Sequence, residues 1–232
     1  MSINDKTAII IGSSGGIGLA ISEELKNQNK FQNILAYSRS SYPSIDITKE
    51  KDIKIVSEEI YKKKYNISLL INAVGYLHDE ELKPEKKSQD INLAYMKKSF
   101  EINSIGPALL IKYFAPLMSK NTGSLFISMS AKVGSISDNY LGGWYSYRAS
   151  KAALNQIIRT ASIEYKRKNP KITFLSLHPG TVSTKLSKPY IGNNNNIFTP
   201  QAAAKRIVST LEKININDSG LLVNYDKQVI EY

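Results

Sequence analysis

The chain has 232 residues, 42% hydrophobic and 22% charged, enough to bury one sizeable core as a single α/β domain over residues 1–232. It has no cysteine and only two histidines, which excludes disulfides, thiolate metal sites and a histidine-rich metal cluster. Net charge is +11, from 31 basic and 20 acidic residues. The lysines look scattered over helix faces among glutamates, with short clusters at Lys62–Lys64 and Lys166–Lys168. The expectation is therefore solvated helix surface, with no nucleic-acid and no membrane partner. The apolar runs are too short to span a bilayer, and the polar Ser2–Lys6 lacks a signal-peptide layout, so a cytoplasmic protein is expected.

Strand and helix patterns alternate along the chain. Thr7–Gly12 reads as a β-branched strand and Gly16–Gln28 as a helix. Asn33–Ser38 reads as the second strand, with Ser41–Asp46 a short third. Lys49–Tyr65 is an amphipathic helix, Ser68–Asn72 a strand, and Asp90–Met118 a long helix interrupted near Pro107. Then come a strand at Gly123–Ser130, a helix at Tyr145–Lys168 and a strand at Lys171–Leu177. Pro200–Lys213 is the last helix and Gly220–Tyr225 the last strand. Such alternation predicts a Rossmann-type, doubly wound parallel sheet of about seven strands with helices on both faces. Gly192–Asn196 is the one low-complexity patch.

Directly after the first strand, Gly12-Ser13-Ser14-Gly15-Gly16-Ile17-Gly18 opens a helix. Glycines let the backbone turn tightly and approach a pyrophosphate, and a helix N-terminus offers free N–H groups. Gly12, Ser14, Gly16, Ile17 and Gly18 are therefore predicted to cradle a dinucleotide. The second strand ends in Ser38-Arg39-Ser40 with no acid to accept from a ribose 2′-hydroxyl. A guanidinium and hydroxyls there suit a 2′-phosphate, which favours NADP(H) over NAD. Tyr147 and Lys151 lie four apart at the start of a predicted helix and so share a face. A cation beside a phenol lowers its pKa from about 10 and eases proton transfer.

Taken in order, these pieces resemble the short-chain dehydrogenase/reductase family over essentially the whole chain. Asp46-Ile47 is similar to the family's adenine-contacting pair, and Asn72-Ala73-Val74-Gly75 to its Asn-Asn-Ala-Gly turn. Asn103, the strand end at Ser130, Tyr147/Lys151 and Pro179-Gly180-Thr181-Val182-Ser183-Thr184 complete the series. Within the family, Leu77-His78 and Ser130–Asn155 resemble the C-factor-like and sniffer-like carbonyl reductases. The resemblance implies a carbonyl or alcohol substrate, Tyr147 as general acid, and Lys151 as its tuner and a ribose ligand. It implies a strand-end serine polarising the carbonyl, Asn103 supporting a water, and Pro179, Gly180, Val182 and Thr184 against the nicotinamide. It also implies a homodimer or homotetramer paired through the long helices. Pro107 adds an argument of its own: lacking an N–H, it leaves the Asn103 carbonyl without its helical donor.

One departure is visible. Aligned on the glycine of Ser-Ser-x-x-Gly, the stretch Ser130-Ala131-Lys132-Val133-Gly134 puts Ala131 at the catalytic serine position. Ser130 is the preferred candidate and Ser135 a remote one. His178 reads as a strand-end packing residue and His78 as a loop residue, while Trp144 and Tyr145 either line the substrate site or pack at the helix entrance. Lys185–Phe198 is expected to be a lid over the pocket. The leading expectation is an NADP(H)-dependent carbonyl reductase. The alternative is a C-factor-like, dinucleotide-binding signalling protein with little turnover.

Overall fold

The computed structural model describes residues 6–191 and 197–232. In chain order the elements are β1 (Thr7–Ile11), α1 (Gly16–Gln28), β2 (Asn33–Tyr37), α2 (Glu50–Lys62) and β3 (Ile67–Asn72). There follow α3 (Leu93–Phe100), α4 (Gly106–Phe114), β4 (Ser124–Met129), α5 (Tyr145–Lys168) and β5 (Ile172–His178). The chain ends with β6 (Thr181–Val182), β7 (Ile197–Phe198), α6 (Pro200–Leu211), β8 (Leu221–Asn224) and β9 (Val229–Ile230).

The main sheet has seven strands in the order β2-β1-β3-β4-β5-β8-β9. All pairings in it are parallel except β8–β9, and β6 and β7 form a separate two-stranded piece. Alternate residues of each strand face opposite layers. Ile9 and Ile11 of β1 join Leu70, Phe126 and Phe174 beneath α2, α4 and α5. Ala8 and Ile10 join Ile71, Ile127 and Leu175 beneath α1 and α6. The central strands β1, β3, β4 and β5 are buried on both faces, which is why their sequences read as largely apolar runs. This is the expected three-layer α/β/α arrangement.

Two details differ from the sequence reading. Ser41–Asp46 forms no strand. Ser41 Oγ accepts from Ser38 N at 2.9 Å and donates to Pro43 O at 2.7 Å, so serine hydroxyls close a loop where a ladder was expected. Pro43 supplies no donor either. The seventh strand is instead β9, returned by a turn in which Lys227 has φ 68°. The interruption near Pro107 is a π-helical segment, Glu101–Ile105, between α3 and α4.

The order of strands reverses between β1 and β3: β2 lies on one side of β1, and β3 and β4 on the other. Loops leaving the carboxyl ends of β1 and β3 therefore part and open a crevice, the usual ligand position of such sheets. Among the described residues no helix is long and apolar enough to cross a membrane.

Candidate active site

The glycine-rich loop closes one side of the crevice. Gly12 has φ +90°, and its N–H donates to Tyr37 O at 2.8 Å. A Cβ on Gly18 would lie 2.3 Å from Gly12 O, and one on Gly12 would lie 2.9 Å from Val74 Cγ2. A side chain at either place would force the turn apart. The N-cap of α1 is Gly15, with no side-chain cap and no acid in the first turn. The free N–H groups there, beside exposed Ser14 and Gly16, fit a pyrophosphate. Across the crevice, Thr184 Cγ2 would lie 3.0 Å from a Cβ on Gly16, so the chain after β6 returns to the same loop. Ile17 packs against the α1/α6 layer.

At the end of β2, Ser38 is buried and its Oγ lies 3.0 Å from Ser40 Oγ, while Arg39 is exposed. Asp46 accepts from Thr48 N at 3.1 Å and Thr48 Oγ1 at 2.8 Å. Burial opposes its ionisation, yet these bonds and the charges of Arg39 and Lys49 hold its carboxyl below the usual range. Ile47 is buried, and Gly106 lets α4 approach it: a Cβ there would meet Ile47 Cδ1 at 2.7 Å. At the end of β3, Asn72 Oδ1 accepts from Val74 N at 3.1 Å and Ala73 N donates to Ile11 O at 2.8 Å. The buried Asn72 Nδ2 has no partner among the described residues. A dinucleotide fits this donor-rich, glycine-lined crevice.

The predicted acid and its lysine come together at the entrance of α5. Tyr147 and Lys151 are 7% and 3% exposed. Lys151 Nζ donates to Met129 O at 2.9 Å, at the end of β4, and stands 5.8 Å from the Tyr147 ring centroid. A Cβ on Gly75 would come within 3.7 Å of Lys151 Nζ and 3.9 Å of Asn103 Oδ1, so the β3 turn faces the same place. Asn103, in the π-helical segment, accepts from Tyr76 N at 2.8 Å and donates to Tyr76 O at 2.8 Å. Its Nδ2 also reaches Ser150 Oγ at 3.1 Å, and Ser104 Oγ donates to Ser150 O at 2.7 Å. The π turn thus locks α5 against the β3 loop, a common placing for such bulges.

Burial sets the protonation of this pair. It pushes the Tyr147 phenol well above its ordinary value and the Lys151 ammonium down to about 7. A neighbouring cation alone would lower the phenol, but desolvation acts on both groups and raises it here.

Ser130 Oγ donates to Asn155 Oδ1 at 2.7 Å, and Asn155 Nδ2 in turn donates to Gly134 O at 3.3 Å. The single Ser130 proton is used there. Ala131 offers no hydroxyl, and Ser135 Oγ accepts from Asp138 N at 3.1 Å. His178 has an unpartnered Nδ1 among the described residues, and burial followed by the Lys132 charge pushes it down to about 4. Another part of the expected site comes from the chain after β5. Gly180 has φ +80°, and a Cβ on it would meet Tyr225 at 2.8 Å and Phe198 at 2.9 Å. Pro179 precedes it, Val182 pairs with Phe198, and Thr184 N donates to Ser187 Oγ at 3.1 Å. Of the expected lid Lys185–Phe198, residues 192–196 lie outside the described residues.

Trp144, expected to line the substrate site or pack at the helix entrance, belongs to a wider aromatic wall, and the wall as a whole and Glu85 were not visible in the sequence. Trp144 packs edge-on to Tyr147 at 6.1 Å and to Tyr190 at 5.3 Å, and Tyr190 packs on His78 at 5.3 Å. The aromatic wall draws on three distant segments and has no local signature. Glu85 is 2% exposed, and its carboxylate accepts from Ser146 N at 3.2 and 3.3 Å and from Ser146 Oγ. Its carbonyl accepts from Trp144 N at 2.6 Å. A residue 61 positions away thus caps α5 and holds Trp144 at φ 53°.

Residues 6–195 match the family described as short chain dehydrogenase, and the chain belongs to that family. It is 26% identical over 235 residues to 1-hydroxy-2-glutathionyl-2-methyl-3-butene dehydrogenase of a Rhodococcus species, covering 97% of this chain and 99% of that protein. It is 35% identical over 136 residues to C-signal of Myxococcus xanthus, covering 59% of this chain and 78% of that one. Among solved structures, NADPH-bound carbonyl reductase from chicken fatty liver superposes with a TM-score of 0.85 at 23% identity, covering 100% of this chain and 96% of that one.

Two outcomes follow from this geometry. Lys151→Met removes a buried ammonium whose proton is lost near 7 in the folded protein but near 10.5 in the unfolded chain. Below 7 the folded protein bears the full cost of the charge, and above 10.5 it bears none. The stabilisation by Lys151→Met, read as a rise in Tm, should therefore be largest below 7 and shrink steadily between 7 and 10.5. A pH-independent Tm difference contradicts this. Glu85→Ala should cost about 1–2 kcal/mol in denaturant unfolding, the scale of a lost helix cap. It should also shift the emission of Trp144, the single tryptophan, to the red. Unchanged emission means that Glu85 does not hold the entrance of α5.

Proposed function

We propose that this protein is an NADP(H)-dependent oxidoreductase that reduces a small-molecule aldehyde or ketone, with cofactor and substrate sites in one domain over residues 1–232. The observation that carries the reading is the joining of the glycine crevice to the buried Tyr147/Lys151 pair through Gly75. Arg39, exposed beside Ser38 and Ser40 where an acid would otherwise sit, supports NADP(H) over NAD. The NADPH-bound state of the similar chicken enzyme agrees with that choice.

Bound nicotinamide supplies the hydride. The α1 N-terminus and the Gly12–Gly18 backbone bind the pyrophosphate, Asp46 and Ile47 flank the adenine, and Asn72–Gly75 line the floor. Pro179, Gly180, Val182 and Thr184 hold the nicotinamide side. Tyr147 gives its hydroxyl proton to the substrate oxygen as that oxygen becomes an alcohol. Burial keeps the phenol protonated, the form that donates to a substrate oxygen. Lys151 stands between the Met129 carbonyl and the ring, where its charge steadies the tyrosinate left behind. Asn103 fixes the β3 loop and, through Ser150, the helix that carries Tyr147.

The carbonyl-polarising role expected of Ser130 passes in this reading to Tyr147 itself, because Ser130 braces Asn155. A second reading, a dinucleotide-binding signalling protein with little turnover, draws support from Ala131 and from the similarity to C-signal.

A panel of aldehydes and ketones assayed with NADPH and NADH decides between them. The first reading expects oxidation of NADPH by at least one carbonyl compound, and the second expects none. In the active assay, Tyr147→Phe should nearly stop turnover while NADPH still binds. Ser130→Ala should fall well short of the roughly 10²–10³-fold loss typical of a carbonyl-polarising donor. Arg39→Asp should weaken NADPH binding by about 1.5–3 kcal/mol, the scale of a lost charged hydrogen bond, and leave NADH binding little changed. Equal affinity of the unmodified protein for both cofactors overturns the NADP(H) assignment.

A further inference from the structure

The fold gathers charge that the sequence seems to scatter. Every helix that precedes a parallel strand ends at the strand-starting edge of the sheet, opposite the crevice. Five turns open there: residues 26–32, 62–66, 118–123, 166–171 and 212–218. Together they hold eleven of the 31 Lys and Arg residues but two of the 20 Asp and Glu. These five turns therefore carry a net charge of +9, out of +11 for the whole chain. All eleven cations are exposed. Lys30 pairs with Glu212 and Lys168 with Glu164, and among the described residues the other nine join no ion pair.

Helix dipoles favour a cation in a last turn, so one lysine at each helix end needs no further cause. The runs Lys62–Lys64 and Lys166–Lys168 go beyond that, and Lys120, Lys171 and Lys213 lie outside the helices. Adjacent like charges repel, so nothing within the fold rewards gathering them. An anionic partner would.

We propose that this edge is a docking surface for an anionic lipid bilayer. Ten of the eleven cations are lysines and one is Arg167, a composition suited to diffuse attraction and poor in the forked guanidinium contacts common in nucleic-acid recognition. Apolar surface lies among the charges. Ile60, Pro116, Leu117 and Met118 line a crevice of about 270 Å³ bordered by Lys64 and Lys120. Tyr61, on the same border, is 71% exposed, and tyrosine favours the headgroup level of a bilayer. Docking by this edge leaves the crevice at the opposite edge open to water. The inference does not depend on the catalytic reading, because it uses none of the same residues.

The test is co-sedimentation of the full chain with vesicles of phosphatidylcholine alone and of phosphatidylcholine mixed with phosphatidylserine, over a range of ionic strength. Duplex DNA and RNA are titrated in the same buffers. The expected result is binding to the mixed vesicles only, weakening as salt screens the charges. K62E/K63E/K64E and K166E/R167E/K168E should each weaken it by about tenfold or more. Charge-neutral K62Q/K63Q/K64Q should weaken it less, and NADPH binding and circular dichroism confirm that each variant is folded. The proposal is overturned by absence of binding to the mixed vesicles at low salt, by equal binding to phosphatidylcholine alone, or by folded variants that bind as the parent does. Tighter binding to nucleic acid than to the mixed vesicles at equal salt also overturns it.

Discussion

The site is organised around one buried ammonium. Lys151 is 3% exposed and donates to the carbonyl of Met129 at 2.9 Å, with the ring of Tyr147 beside it. Removing such a group from water is costly unless its surroundings return hydrogen bonds and charge. Beyond that one hydrogen bond, several features hold the helix that carries Lys151 and leave room for its ammonium. Gly75 has no side chain to block the approach to Lys151 Nζ. The π-helical segment delivers Asn103 and Ser104 to pin α5 against the β3 loop. Glu85 fixes the other side of the helix entrance. The stability given up in burying Lys151 is what keeps a protonated phenol and a readily titrated amine together.

The same packing explains how the two halves of the crevice keep their spacing. β1 and β3 pair in register over Ala8–Ile11 and Leu69–Asn72, so the loops leaving them start side by side. Gly12, Gly18 and Val74 then sit at contact distances that a single methyl group would violate. On the other edge, nine of the eleven cations gathered in the turns join no ion pair among the described residues. The protein thus has a closely packed ligand edge and a basic edge opposite it.

Much of this was legible in the sequence where the signal is local. The glycine loop, Tyr147 with Lys151, and the apolar strands Thr7–Ile11 and Ile67–Asn72 each follow from spacing within a few residues. Ser41–Asp46 misled because its β-branched and aromatic residues suit a strand, while its serines bond to the loop's own backbone. β9 was missed because two residues carry too little pattern to register. Glu85 was invisible for another reason: a carboxylate capping a helix 61 positions away looks like any surface glutamate. The basic edge was missed similarly, since lysines spaced along the chain converge only when the turns are brought to one side.

The account rests on hydride passing from NADPH to a carbonyl carbon at the Tyr147 site. The most direct measurement uses NADPH carrying deuterium at its transferable position, with a carbonyl compound that the protein consumes. The account predicts an alcohol product carrying deuterium on the former carbonyl carbon, with one stereochemistry, and no such product from the Tyr147→Phe protein. Consumption of the substrate without deuterium in the product, or full labelling by the Tyr147→Phe protein, would contradict it.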